Sequence, residues 1–140
     1  VPERLDFRIE IMVLPGATEV HALVSVTGTG SGPAEAETAL VVQPVQGATV
    51  RFLRQSRPGR GDLVRRDGEL GYRTGSWSAQ AREFHLCIDV PALASGEKLV
   101  VARVLLVRLG ADPATLAEAT VLASRTEGYV APPPPLPPRR

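Results

Sequence analysis

His85, Cys87 and Asp89 occupy alternate positions of the run "REFHLCIDV", so a strand over that run carries an imidazole, a thiol and a carboxylate on one face. These are the parts of a nucleophile, a base and an orienting acid. Same-face neighbours on a strand stand about 6.5 to 7 Å apart, whereas a nucleophile and its base need hydrogen-bond reach. One strand alone therefore spaces them too widely for direct catalysis. His85 and Cys87 are also donors for a transition metal, but the remaining ligands have to come from elsewhere, and His21 is the obvious further soft candidate. Ordinary partly buried strand residues account for all three, so no catalytic, cofactor-binding or metal-ligating residue is assigned. The sequence holds no phosphate-cradling glycine loop, no paired carboxylates on a helix and no CxxC pair. The expectation is a non-enzymatic protein with no cofactor.

Binding chemistry is better represented. Arg51, Arg54, Arg57, Arg60, Arg65 and Arg66 face Asp62 alone between positions 51 and 66, a local surplus of five positive charges. Arg54, Arg57, Arg60, Arg65 and Arg66 are candidate contacts for an acidic protein partner; a merely solvated arginine-rich strand and loop is the plainer account. Trp77, the single tryptophan, falls in "TGSWSAQAREF", read as a loop between strands. Exposed there it would be a binding hot spot, whereas packed over an open edge or end of the fold it would be structural. Arg60, Gly61 and Asp62 spell RGD in a plausible exposed loop, which makes an exported adhesion module the alternative function. Pro134, Pro137 and Arg139 match Pro-x-x-Pro-x-Arg, a pattern that aromatic grooves such as SH3 domains read, although a plain spacer is the simpler reading.

Whole-chain properties bound these options. Sixteen Lys and Arg against fifteen Asp and Glu leave a net charge of +1, which creates no global field for nucleic acid or an anionic membrane. A protein partner is expected, with no nucleic acid and no membrane. Apolar runs reach only about four residues, far short of the ~20 that a membrane helix needs. The one cysteine permits no intramolecular disulfide, and no basic segment leading into an apolar one follows Val1. Both features suit the cytoplasm, the expected location.

The elements that must position these residues are strands. In "LDFRIEIMV", Leu5, Phe7, Ile9, Ile11 and Val13 alternate with polar residues, the period-2 pattern of a strand with one buried face. "PGAT" turns the chain into "EVHALVSVT", which repeats the pattern with Val20, Ala22, Val24 and Val26, so the two runs form a hairpin. "TALVVQP", "ATVRFLR", "DLVRR" and "ELGYRT" follow, with Asp67-Gly68 as a two-residue hairpin turn between the last two. "REFHLCIDV" directs Phe84, Leu86, Ile88 and Val90 inward, and Pro91 ends it. "KLVVARVLLVRL" is apolar on both faces, as in a central strand covered on both sides or bending between sheets, and "LAEATVLASR" is read as a strand in preference to a helix. Eight or nine strands of this kind predict an all-β antiparallel sandwich over 1–127. Residues 128–140 form a proline-rich tail suited to extended polyproline II, a semi-rigid linker.

Four segments in order, "LPGATEVHALVSVT" (14–27), "ALVVQPVQGATVRFLRQ" (39–55), "YRTGSWSAQAREFHLCIDVP" (72–91) and "GEKLVVARVLLV" (96–107), resemble the β-sandwich part of actinobacterial cytoplasmic proteins that carry a von Willebrand factor A (VWA) domain. The resemblance implies that 28–38, "GTGSGPAEAET", is a short linker where relatives insert the VWA domain. A VWA domain binds a divalent cation through Asp-x-Ser-x-Ser, a motif this sequence lacks, so no metal residue is carried over. A scaffold or protein-interaction module without its guest domain is what the resemblance implies.

Overall fold

The computed structural model describes residues 5–14, 19–33, 35–45, 47–66, 68–69, 71–90 and 98–124. They form nine strands and no helix: β1 (Leu5–Leu14), β2 (Glu19–Gly30), β3 (Glu35–Pro44), β4 (Thr49–Arg57), β5 (Gly61–Leu63), β6 (Tyr72–Trp77), β7 (Ala81–Asp89), β8 (Lys98–Arg108) and β9 (Ala114–Ser124). Two antiparallel sheets pack face to face. The first has the order β1-β2-β7-β4-β5 and the second β6-β3-β8-β9. The tail motif of Pro134, Pro137 and Arg139 lies outside the described residues.

Alternation explains the core directly. Val20, Ala22, Val24 and Val26 of β2 are fully buried, as are Phe84, Leu86 and Ile88 of β7, and they meet Leu40, Val104 and Leu106 of the second sheet. Each fully buried Val, Leu, Ile or Phe contributes about 1.5–3 kcal/mol relative to exposure, so this shared inner layer dominates the stability. β8 runs between β3 and β9. Its pairing with β9 shifts register between Val100 and Ala102, a bulge that turns both Val101 and Ala102 inward. That extra residue is why the run lacks simple alternation. β9 is a strand, as its neighbours require.

Two expectations change. The 28–38 stretch is mostly strand, because β2 extends to Gly30 and β3 starts at Glu35, leaving 31–34 to cross between the sheets. Its small residues serve close approach: the Gly28 N–H donates to Gln80 O at 2.8 Å, and a Cβ on Gly28 would meet Ser78 O at 2.7 Å and Phe7 Cε1 at 2.9 Å. Gly68 does belong to a turn, in which Glu69 N–H donates to Arg66 O at 3.0 Å and Gly68 has φ +83°, while Asp67 lies outside the described residues. The turn does not close a hairpin, since β5 lies in the first sheet and β6 in the second. Turn chemistry reverses the chain locally, but inter-sheet packing decides which partners the strands find.

Candidate functional site

The outer face of the first sheet gathers most of the polar chemistry. β2 and β7 are not consecutive, yet their register sets His21 opposite Cys87, Leu23 opposite His85 and Glu19 opposite Asp89. On the other flank of β7, Phe52 stands opposite Cys87 and Arg54 opposite His85. A register shift between Val50 and Phe52 puts Arg51 and Phe52 on the outer face in succession, while Leu53 returns to the core. Simple alternation along "ATVRFLR" would have turned Phe52 inward.

These placements close the gap that one strand leaves. His21 Nδ1 lies 2.8 Å from His85 Nε2, and His21 Nε2 lies 2.5 Å from Glu19 Oε1 and 3.9 Å from Cys87 Sγ. Arg51 binds the second Glu19 oxygen and reaches Asp89 Oδ2 at 3.6 Å. Phe52 packs edge-on to His85 with ring centroids 5.0 Å apart, and the Arg54 guanidinium lies 4.0 Å over the Phe52 ring. Cys87 ends up with no exposed surface although it is on the outer face. His85 and Cys87 are therefore joined by His21, Glu19 and Arg51, and Asp89 touches the group through Arg51. Sequence reasoning named His21 as a possible companion but missed Glu19, Arg51 and Phe52; the outward alternation of Glu19 and His21 on β2 was the available signal.

Electrostatics follow from this packing. The hydrogen bond with His21 lowers the Glu19 pKa, with help from Arg51, and the charge of Asp89 raises that of Arg51, with help from Glu19. Burial depresses the His85 imidazole below its ordinary value, and His21 and Arg54 add to the effect. Burial pushes the Cys87 thiol up, and Glu19 reinforces this. A buried thiol held in its protonated form is the opposite of an activated nucleophile. The same sulfur, beside an imidazole and a carboxylate, has the donor chemistry of a metal ligand.

The arginine edge lies alongside, on β4, β5 and the segment that follows. Arg57, Arg60, Arg65 and Arg66 are exposed. Arg54 Nε pairs with Asp62 Oδ1 at 3.4 Å, and an Arg65 guanidinium N–H donates to Glu69 O at 2.9 Å. An open cleft of about 440 Å³ runs along Arg54, Gln55, Ser56, Arg60, Asp62 and His85. The RGD tripeptide is not the free loop expected, because Gly61 and Asp62 pair with Gln55 and Arg54 of β4. Trp77 takes the packed, structural place of the two weighed, on a strand and not in a loop. It is the last residue of β6, 1% exposed, edge-on to Phe7 at 6.0 Å and near Phe84 at 6.2 Å. Its Nε1–H donates to Gln80 O at 3.3 Å while the Arg82 guanidinium covers the ring at 4.2 Å. The indole thus packs into the core and leaves the list of surface contacts.

On the far side of the molecule an open groove of about 680 Å³ lies along Ala39, Val41, Gly71, Arg73, Val107 and Pro113. It shares no residue with the histidine cluster.

The chain is similar to a von Willebrand factor type A protein from Catenulispora acidiphila, with 34% identity and a TM-score of 0.59; the match covers 66% of this chain and 23% of that one. The fold is thus related to part of a VWA protein. This chain spans about a quarter of that structure's length. It is also similar in fold to a cohesin module of a family 33 glycoside hydrolase from Clostridium perfringens ATCC13124, with a TM-score of 0.52 at 8% identity, covering 88% of this chain and 98% of that one. No family model and no curated protein matches.

Proposed function

We propose that this chain is a non-enzymatic β-sandwich scaffold or protein-interaction module, related to the sandwich of bacterial VWA proteins and working in the cytoplasm. The observation that carries this reading is the asymmetry of the 34% match, which takes in 66% of this chain but 23% of its counterpart. A sandwich that recurs as a minor part of a longer chain behaves as a module. The 28–38 stretch, which holds the connection between β2 and β3, is, on this reading, the joint where relatives host the VWA domain. β2 ends at exposed Gly30 and β3 begins a few residues on at half-buried Glu35, with exposed Ser31, Gly32 and Pro33 between them, which suits an inserted domain.

The working surface is the arginine edge of Arg54, Arg57, Arg60, Arg65 and Arg66, for an acidic segment of a protein partner. Arg57 and Arg60 are exposed near the short edge strand β5, and a like-charged cluster of this kind steers association with an acidic surface. The test is affinity capture from the native cytoplasm with the wild-type chain and an Arg57→Glu/Arg60→Glu variant. Loss of the captured partner, with an unchanged thermal unfolding midpoint and weaker wild-type capture at higher salt, supports the reading. Equal recovery by both proteins removes the edge as the working surface.

A further inference from the structure

We propose that Glu19, His21 and Cys87 form a site for a zinc-class divalent metal ion on the outer face of the first sheet, with His85 as the residue that orients His21. A carboxylate oxygen, an imidazole nitrogen and a thiol sulfur of these three residues lie within 4.8 Å of one another. They come from β2 and β7, adjacent and antiparallel in the sheet, so the backbone ladder fixes the spacing of the donors.

The distances suit a tetrahedral ion. With Zn–S of about 2.3 Å and Zn–N or Zn–O of about 2.0–2.1 Å, tetrahedral geometry separates sulfur from nitrogen by about 3.6 Å and nitrogen from oxygen by about 3.4 Å. Cys87 Sγ and His21 Nε2 are 3.9 Å apart, so they need little movement to share an ion. Glu19 Oε1, at 2.5 Å from His21 Nε2, must withdraw by about 0.9 Å, which its flexible, half-exposed side chain can accommodate. Three protein donors then leave a fourth position for water or a partner's side chain.

The surroundings complete the argument. A metal-bound imidazole characteristically directs its other nitrogen to a second polar group, which fixes the tautomer and ring orientation. His21 Nδ1 meets His85 Nε2 at 2.8 Å in that arrangement, and Phe52 packs against both rings. Arg51 holds the second oxygen of Glu19, leaving Oε1 directed at the cluster, and the charge of Arg51 is offset by Asp89. Binding releases the Cys87 proton, so that one thiolate and one carboxylate neutralise a divalent ion. Sulfur and imidazole select zinc-class ions over magnesium or calcium, which take oxygen donors. The cluster shares no motif with the Asp-x-Ser-x-Ser site of VWA domains, which this chain lacks. Nor does it depend on the arginine edge as a docking surface, so either reading can fail without the other.

The experiment is titration of the tag-free 140-residue chain with Zn2+ by calorimetry at neutral pH, with Co2+ absorption spectroscopy alongside. The site predicts one equivalent of Zn2+ per chain and a thiolate-to-cobalt charge-transfer band. His21→Gln and Cys87→Ser should each weaken Zn2+ binding at least about 100-fold and remove the band, and His85→Gln should weaken it about 10- to 100-fold. Because Cys87 is buried, His21→Gln and Glu19→Gln, at half-exposed positions, carry the test if Cys87→Ser does not fold. Wild-type binding no tighter than that of His21→Gln, or a charge-transfer band that survives in His21→Gln, overturns the proposal.

Discussion

The inner and outer faces of β2 and β7 are built from alternate residues of the same two strands, yet they obey different rules. Inside, Val20, Ala22, Val24 and Val26 meet Phe84, Leu86 and Ile88 in a layer where any close-packed apolar neighbour will serve. Outside, His21, His85, Cys87 and Glu19 form a cluster whose chemistry depends on separations of 2.5 to 3.9 Å. Hydrophobic burial is non-directional and tolerates many neighbours, whereas hydrogen bonding and ligation demand particular atoms at particular distances. One strand can therefore carry a legible core on one side and an illegible site on the other.

Substitutions separate the two faces when measured as urea-unfolding free energies at constant m-value. Trp77→Ala should cost about 3–5 kcal/mol, because a large ring leaves the core end of the sandwich; a loss below about 1 kcal/mol would return Trp77 to the surface. Leu86→Ala, on the inner face of β7, should cost about 2–5 kcal/mol through the cavity it opens. Gly28→Ala should cost about 1–3 kcal/mol, since the added Cβ collides with Ser78 O and Phe7 and the backbone must shift. A neutral Gly28→Ala would mean that the 28–38 stretch is loose after all. Cys87→Ala, one position from Leu86 and equally buried, should cost only about 1 kcal/mol in metal-free buffer, the scale of one lost methylene-sized group. A Cys87 loss as large as that of Leu86 would erase the distinction between the faces.

The legibility of each region tracks its physics. The inward set of β7 could be read from alternation alone, and all four residues, Phe84, Leu86, Ile88 and Val90, are buried. Trp77 could not be placed that way, because its neighbours Phe7 and Phe84 come from β1 and β7 in the other sheet. Asp67-Gly68 announced a turn and Gly68 lies in one, but the partners of β5 and β6 lay beyond its reach. For the cluster, the sequence supplied His85, Cys87 and a suspicion of His21; it offered Glu19 only as an outward neighbour of His21 and gave no sign of Arg51. Their approach depends on the β2–β7 register and on a bulge in β4.

The strands and, wherever alternation is regular, their buried faces were already written in the sequence, and with them the sandwich, because a period-2 pattern of apolar residues has few other ways to leave water. Only the tertiary structure decided that Asp62 answers Arg54, that Trp77 is inside, and that an imidazole from β2 stands between an imidazole and a thiol from β7. Those outcomes rest on contacts between residues far apart in the chain, and a local pattern carries no distance between them.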